Sequence, residues 1–214
     1  MAHGPCDCAG ALAMRPKPPL ALPGMRIGLL GGSFNPAHRG HRQISLAAVE
    51  RLGLDRVWWV VTPGNPLKSN GDLASLEERA RLARHVAGHP QIVVTDFEAA
   101  LPSRFTADTI AFLVRRLPAV CFVWIMGGDN LAQFHRWREW RRIVALMPIA
   151  VVDRPGMRHK ALASPAARSF SRARIPERRA RALATMKPPA WTYLTIRLTT
   201  ASSTAIRKSR KPVR

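Results

Sequence analysis

The chain is poor in cysteine, in acidic residues and in long apolar runs. Of its 214 residues only Cys6, Cys8 and Cys121 carry a thiol. That number excludes the disulfide framework of a small secreted domain and suits a reducing cytoplasm. Cys121 stands in an apolar run and reads as a small core residue. The Cys6-x-Cys8 pair lacks further ligands nearby for a metal. No apolar run approaches the roughly 18 residues that a membrane-spanning helix needs. The first 24 residues show no basic start followed by an apolar stretch, so no secretory signal is expected. Their prolines and small residues read as a disordered extension, with the folded unit over 25–207 and a basic tail over 208–214.

Acidic side chains are outnumbered, 13 Asp and Glu against 34 Lys and Arg, a net charge of +21. Such a balance raises the possibility of nucleic-acid binding. The arginines concentrate at 136–142, 172–181 and 207–214, with little of the aromatic interleaving that stacks bases. A basic nucleic-acid-binding protein therefore stays as the alternative of another class, against the expectation. A positive field equally steers small polyanionic substrates. Missing, too, are internal repeats, a His/Cys/Asp/Glu cluster for a fixed metal, and a Ser-His-Asp or Cys-His arrangement. Neither the Walker pattern, which needs Gly-Lys-Ser/Thr, nor the dinucleotide pattern Gly-x-Gly-x-x-Gly occurs at the glycine-rich turn.

What is present is an alternation. Apolar, β-branched runs predict strands over 26–30, 57–62, 91–96, 121–126, 149–152 and 191–196. Apolar residues at helical spacing predict helices over 41–52, 73–87, 106–116 and 137–146. The pattern implies an α/β, doubly wound, Rossmann-like parallel sheet in a single domain. Two further helices, around 161–169 and 176–184, form a small helical C-terminal region, with Pro188-Pro189 as a stop.

The most informative stretch is Ile27–His41, IGLLGGSFNPAHRGH. A strand breaks into Gly31 and Gly32, and His38 and His41 follow where a helix begins. Strand, glycine turn and helix start present backbone N–H groups and a positive helix end to a phosphate. Two imidazoles three residues apart on a first turn face the same phosphate chain. A half metal site or plain surface histidines would not account for the joined pattern after a strand. Phe34 reads as packing beneath the turn. Ser202-Ser203-Thr204 before Ala-Ile-Arg reads as a helix cap, which is also an anion site.

The run Gly31-Gly32-Ser33-Phe34-Asn35-Pro36-Ala37-His38-Arg39-Gly40-His41 resembles the signature of the nucleotidyltransferase superfamily. Within it the chain is most similar to the bacterial nicotinate-nucleotide adenylyltransferases. Phe105-Thr106-Ala107-Asp108-Thr109, Met126-Gly127-Gly128-Asp129-Asn130, Asp153-Arg154-Pro155-Gly156 and Ser202-Ser203-Thr204-Ala205-Ile206-Arg207 agree in order and spacing. Asn35 departs from the aspartate more usual in the signature.

The resemblance implies adenylyl transfer from ATP to nicotinate mononucleotide, with Mg²⁺ accompanying the triphosphate. It implies catalytic roles for His38, His41 and Arg207. For ATP it implies Gly31, Gly32, Ser33, His38, His41, Asp129, Ser202, Ser203, Thr204 and Arg207. For the acceptor it implies Asn65, Lys68, Thr106, Trp137 and Arg154. Trp137 would stack on the pyridine ring or simply pack, Asp129 would hold the ribose or tie loops together, and Arg207 is alternatively a surface arginine. Pantetheine-phosphate adenylyltransferase and cytidylyltransferase activities remain the alternatives within the same fold.

Overall fold

The computed structural model describes residues 16–64 and 73–196. Its sheet has six parallel strands: β1 (Arg26–Gly32), β2 (Arg56–Val61), β3 (Ile92–Thr95), β4 (Cys121–Gly127), β5 (Ile149–Val152) and β6 (Trp191–Leu194). Their order across the sheet is β3-β2-β1-β4-β5-β6. The chain therefore winds outward from β1 in one direction and from β4 in the other. The crevice between the carboxyl ends of β1 and β4 is the switch point where such sheets take their ligands.

Strand side chains alternate between faces, as a period of two demands. On one face Ile27, Leu29, Trp58, Val60, Phe122, Trp124, Met126, Ile149 and Val151 join one core. Leu30, Val57, Trp59, Val61, Val123, Ile125, Ala150 and Val152 join the other. Both faces are covered, which is why these strands read as nearly continuous apolar runs. The helices α1 (Arg39–Leu52) and α2 (Leu76–Ala87) bury Ile44, Ala48, Leu52, Ala80, Ala83 and Ala87 in the second core. The first core takes Ala107, Ile110 and Leu113 of α3 (Thr106–Arg116), Leu131 of α4 (Gly128–Gln133), and Trp140 and Ile143 of α5 (Trp140–Leu146).

All six strands and α3 fall where the hydrophobic pattern puts them, with small shifts at their ends. Five expectations are corrected. β1 does not break at the glycines but runs through Gly32; the backbone turns at Phe34, at φ +46°. α2 begins at Leu76 and not 73, because the Ser75 hydroxyl accepts the Glu78 N–H at 3.2 Å and caps the helix there. The helix expected over 137–146 begins only at Trp140: Phe134–Arg136 form a 3₁₀ turn, and Glu139 sits at φ +53° with its carboxylate on Arg142. The region after β5 divides into α6 (Arg158–Leu162) and α7 (Pro165–Ser169), since Ser164 and Pro165 start a new helix. The expected helix over 176–184 is a 3₁₀ segment, Glu177–Thr185, set against α1.

Residues 16–24 form no helix or strand. They meet the domain at Ala21, which packs against the first core, and at Gly24, whose N–H donates to the Ala119 carbonyl at 2.7 Å.

Candidate active site

His38 occupies the N-cap of α1 in an extended conformation. Its Nδ1 accepts the Gly40 N–H at 3.1 Å, and the His41 Nδ1 accepts the His38 N–H at 3.2 Å. The two imidazoles thus do what Ser and Glu do in a capping box. Each ring is fixed by its backbone bond, with centroids 3.9 Å apart.

Burial and the nearby Arg154 guanidinium hold His38 below the usual imidazole range. Burial, with the His38 ring and Arg154, pushes His41 down to about 3. Both rings are therefore neutral at pH 7. With Nδ1 accepting, the ring proton of each resides on Nε2. The pair offers two neutral N–H donors at the positive end of a helix. That arrangement suits a polyphosphate and would serve poorly as a base.

The supports behind His41 are aromatic and hydroxylic. Phe34 is buried, stacks on Trp59 with centroids 5.0 Å apart, and lies 4.9 Å from the His41 ring. The Trp59 indole N–H donates to Ser45 Oγ at 2.7 Å, and the Ser45 hydroxyl donates to the His41 carbonyl at 2.9 Å. Phe34 is therefore packing beneath the turn, as expected.

Across the crevice, β4 ends in Gly127 and Gly128. A Cβ on Gly127 would collide with the Asp129 carboxylate and come 3.1 Å from Arg154 Nε. Arg154, just after β5, pairs with Asp129 at 3.5 Å and adds its positive charge to the field at both histidines. Asp129 thus ties two loops together. Arg154 is itself oriented through its neighbour: Asp153 Oδ1 accepts both the Arg154 N–H (2.8 Å) and the Tyr193 hydroxyl (2.7 Å).

Gly31 has a second reason for lacking a side chain. The Trp124 ring would lie 2.6 Å from its Cβ. Trp124 in turn meets Trp137 edge to face at 6.5 Å, and Trp137 meets Phe134 at 5.3 Å. Arg138, next in the chain, lies 4.4 Å over the Phe105 ring, directly before Thr106. A continuous wall thus runs from the glycine turn to the start of α3. Phe105 supplies no side-chain cap to that helix, and its own N–H donates to the Ser103 hydroxyl at 3.2 Å.

The sequence profile of the cytidylyltransferase-like family matches residues 29–209. A probable nicotinate-nucleotide adenylyltransferase of a Bradyrhizobium species is 58% identical over 183 residues, covering 86% of this chain and 95% of the relative. The like-named protein of Methylorubrum extorquens is 57% identical over 86% of this chain and 99% of its own. The chain belongs to the nicotinate-nucleotide adenylyltransferases.

The fold agrees with solved structures of remote members. The nicotinic acid mononucleotide adenylyltransferase of Plasmodium falciparum, solved with NaAD, superposes with a TM-score of 0.64 at 17% identity, covering 86% of this chain and 83% of that one. The same protein with APC superposes at 0.61 over 85% of this chain and 82% of that one, at 16% identity.

In this family member the structure groups the predicted site residues in two sets. His38, His41, Asp129 and Arg154 surround the switch point beside Gly31, Gly32 and Ser33. Trp137 and Thr106 lie along the aromatic wall. Arg154, expected with the acceptor, lies near both histidines. Asn65, Lys68, Ser202, Ser203, Thr204 and Arg207 lie outside the described residues. Sequence reasoning missed Ser45, Trp59, Asp153 and Tyr193. Only Asp153 carried a signal, through the Asp-Arg-Pro-Gly run.

Proposed function

We infer that this chain transfers the adenylyl group of ATP to nicotinate mononucleotide, giving deamido-NAD and pyrophosphate. An oxygen of the acceptor phosphate attacks the α-phosphorus, and the bond from that phosphorus to the bridging oxygen of the pyrophosphate breaks. The attacking phosphate is already an anion, so the site needs alignment and charge stabilisation, not a base. The observation that carries this reading is the pair of neutral imidazoles at the start of α1, each with Nδ1 engaged and Nε2 left to donate.

His41 donates to an α-phosphate oxygen as charge builds there, and His38 donates to the triphosphate beside it. Arg154 supplies the fixed positive charge at the same point, where the acceptor phosphate must also arrive. Gly31, Gly32 and Ser33 follow the nucleotide with their backbone. Ser202, Ser203, Thr204 and Arg207 take the β- and γ-phosphates in this reading, and Mg²⁺ enters with ATP as part of that substrate. Thr106 and Trp137 receive the nicotinate ring and its carboxylate, with Asn65 and Lys68 completing the acceptor site. The net charge of +21 draws both polyanions in. The cytoplasm is the compartment this reading assigns, as the place of its nucleotide substrates.

The test is pyrophosphate release from Mg-ATP with nicotinate mononucleotide, nicotinamide mononucleotide and phosphopantetheine offered separately. Turnover with the nicotinate compound, lost in a folded His41→Ala variant, is the expected result. Turnover with phosphopantetheine alone would overturn the acceptor, and silence with all three would overturn the reaction.

A further inference from the structure

Tyr193 is 3% exposed on β6, where phenylalanine would fill the same space without a polar group to satisfy. Its hydroxyl donates to Asp153 Oδ1 at 2.7 Å, reaching from β6 to the end of β5. Burial, and then the Asp153 carboxylate, raise the phenol above its ordinary range. Arg158, 5.6 Å over the ring, and Arg174 act the other way and more weakly. The hydroxyl therefore keeps its proton, and that proton is committed to the carboxylate. Room for it is kept on the side of α4: a Cβ on Gly128 would come 3.0 Å from the hydroxyl oxygen.

Asp153 passes this constraint on to Arg154. The same Oδ1 accepts the Arg154 N–H at 2.8 Å, while the Asp153 N–H donates to the Leu194 carbonyl at 2.9 Å. Further along, the Met157 N–H donates to the Arg154 carbonyl at 2.9 Å. The backbone of Arg154 is thereby held on both sides. Its side chain is not: Nε is buried 3.5 Å from Asp129 Oδ1 and makes no hydrogen bond among the described residues. The guanidinium depends on the backbone turn for its place. After burial, and for His41 also after the His38 ring, its charge is what lowers both imidazoles.

We propose that Tyr193 is a positioning residue for adenylyl transfer: through Asp153 its hydroxyl fixes the turn that carries Arg154, and so holds the guanidinium near the histidine pair. The inference rests on the function given above, in which Arg154 meets the phosphates.

The experiment is a double-mutant cycle on the whole protein, with the wild type, Tyr193→Phe, Arg154→Ala and the two combined. It is read by steady-state kinetics and by NMR titration of His38. Tyr193→Phe keeps the ring and removes only the hydroxyl. Alone it is expected to lower kcat about tenfold or more, with the KM for ATP changed less, as displacement of an aligned group does. Added to Arg154→Ala it should cost nothing further, because the residue it positions is gone. Each single variant should also raise the pKa of His38 toward the 6.5 of a free imidazole. Losses that add in the combined variant overturn the proposal, as does a His38 titration that responds to Arg154→Ala and not to Tyr193→Phe.

Should Tyr193→Phe not fold, Asp153→Ala and Asp153→Asn take its place. The first removes the acceptor and is expected to lower kcat in the same way; the second keeps a carbonyl acceptor and recovers part of the loss. Equal losses in the two overturn the proposal. A wild type that turns over no nicotinate mononucleotide fails in the functional reading alone, and the His38 titration still decides whether Tyr193 places the guanidinium.

Discussion

His41→Gln separates the protonation of a ring from the hydrogen bond it donates. In the folded chain His41 is held at about 3 by burial, by the facing His38 ring and by Arg154, against 6.5 for a free imidazole. The folded value lies below the unfolded one. Between those two pH values the unfolded chain therefore takes up a proton that the folded chain refuses. The contribution of His41 to stability is complete above pH ~6.5 and is withdrawn as the pH falls toward 3. The slope is at most about 1.4 kcal/mol per pH unit, so the fall from pH 7.5 to 4.5 removes at most about 2.7 kcal/mol. The ring is only partly enclosed by the surface, and residual hydration brings the expected figure to about 2 kcal/mol.

Urea unfolding at pH 7.5 and 4.5 reads this directly. At an m-value of about 2 kcal/mol/M, the wild-type midpoint should fall about 1 M further than that of the variant. His38 is present in both proteins, and its own lowered pKa arises from burial and Arg154, so its contribution cancels in the difference. Parallel losses in the two proteins would refute the desolvated, neutral ring. The same variants test its chemistry at pH 7.5. His41→Ala should lose about a hundred- to a thousandfold in rate, as removal of one preorganised donor does. His41→Gln retains an N–H near the Nε2 position and should recover part of that. Equal losses would mean that the donated hydrogen bond is not what the ring supplies.

Gly127→Ala places a methyl group into the Asp129–Arg154 pair, and should cost about tenfold or more in kcat while the far-ultraviolet circular dichroism is unchanged. A fully active variant would show that the pair is not needed in its present place. Trp137→Ala should raise the KM for nicotinate mononucleotide about tenfold and leave that for ATP nearly unchanged, because a stacked ring contributes about 1 to 3 kcal/mol. Equal rises in both would make Trp137 a packing residue alone.

Much of the architecture was legible in the chain. The six strands show as apolar, β-branched runs because both faces of the sheet are covered, so little alternation interrupts them. α3 shows over its whole length because its apolar residues recur at helical spacing against a basic last turn. The places where the pattern misled are those where a single side chain overrides periodicity. Ser75 caps α2 three residues later than its apolar content suggests. Glu139, at positive φ, delays α5 while Trp137 seats its ring against Trp124 and Phe134. Gly31 looked like a residue kept small for a phosphate, and it is also kept small by the Trp124 ring of a strand nearly a hundred residues away.

The sequence by itself determined the winding of a parallel sheet, the glycine turn after its first strand, and the histidine pair at the start of the next helix. These are local matters, decided by residues within a turn or two of one another. Only the tertiary structure decided that the two imidazoles are neutral and which nitrogen each leaves to donate, since burial and a guanidinium from the far side of the crevice set their pKa values. It alone showed Arg154 near both histidines, and the Tyr193 hydroxyl on the carboxylate that holds the Arg154 backbone. Which donors face a carboxylate depends on where distant segments come to rest, and no spacing along the chain records that.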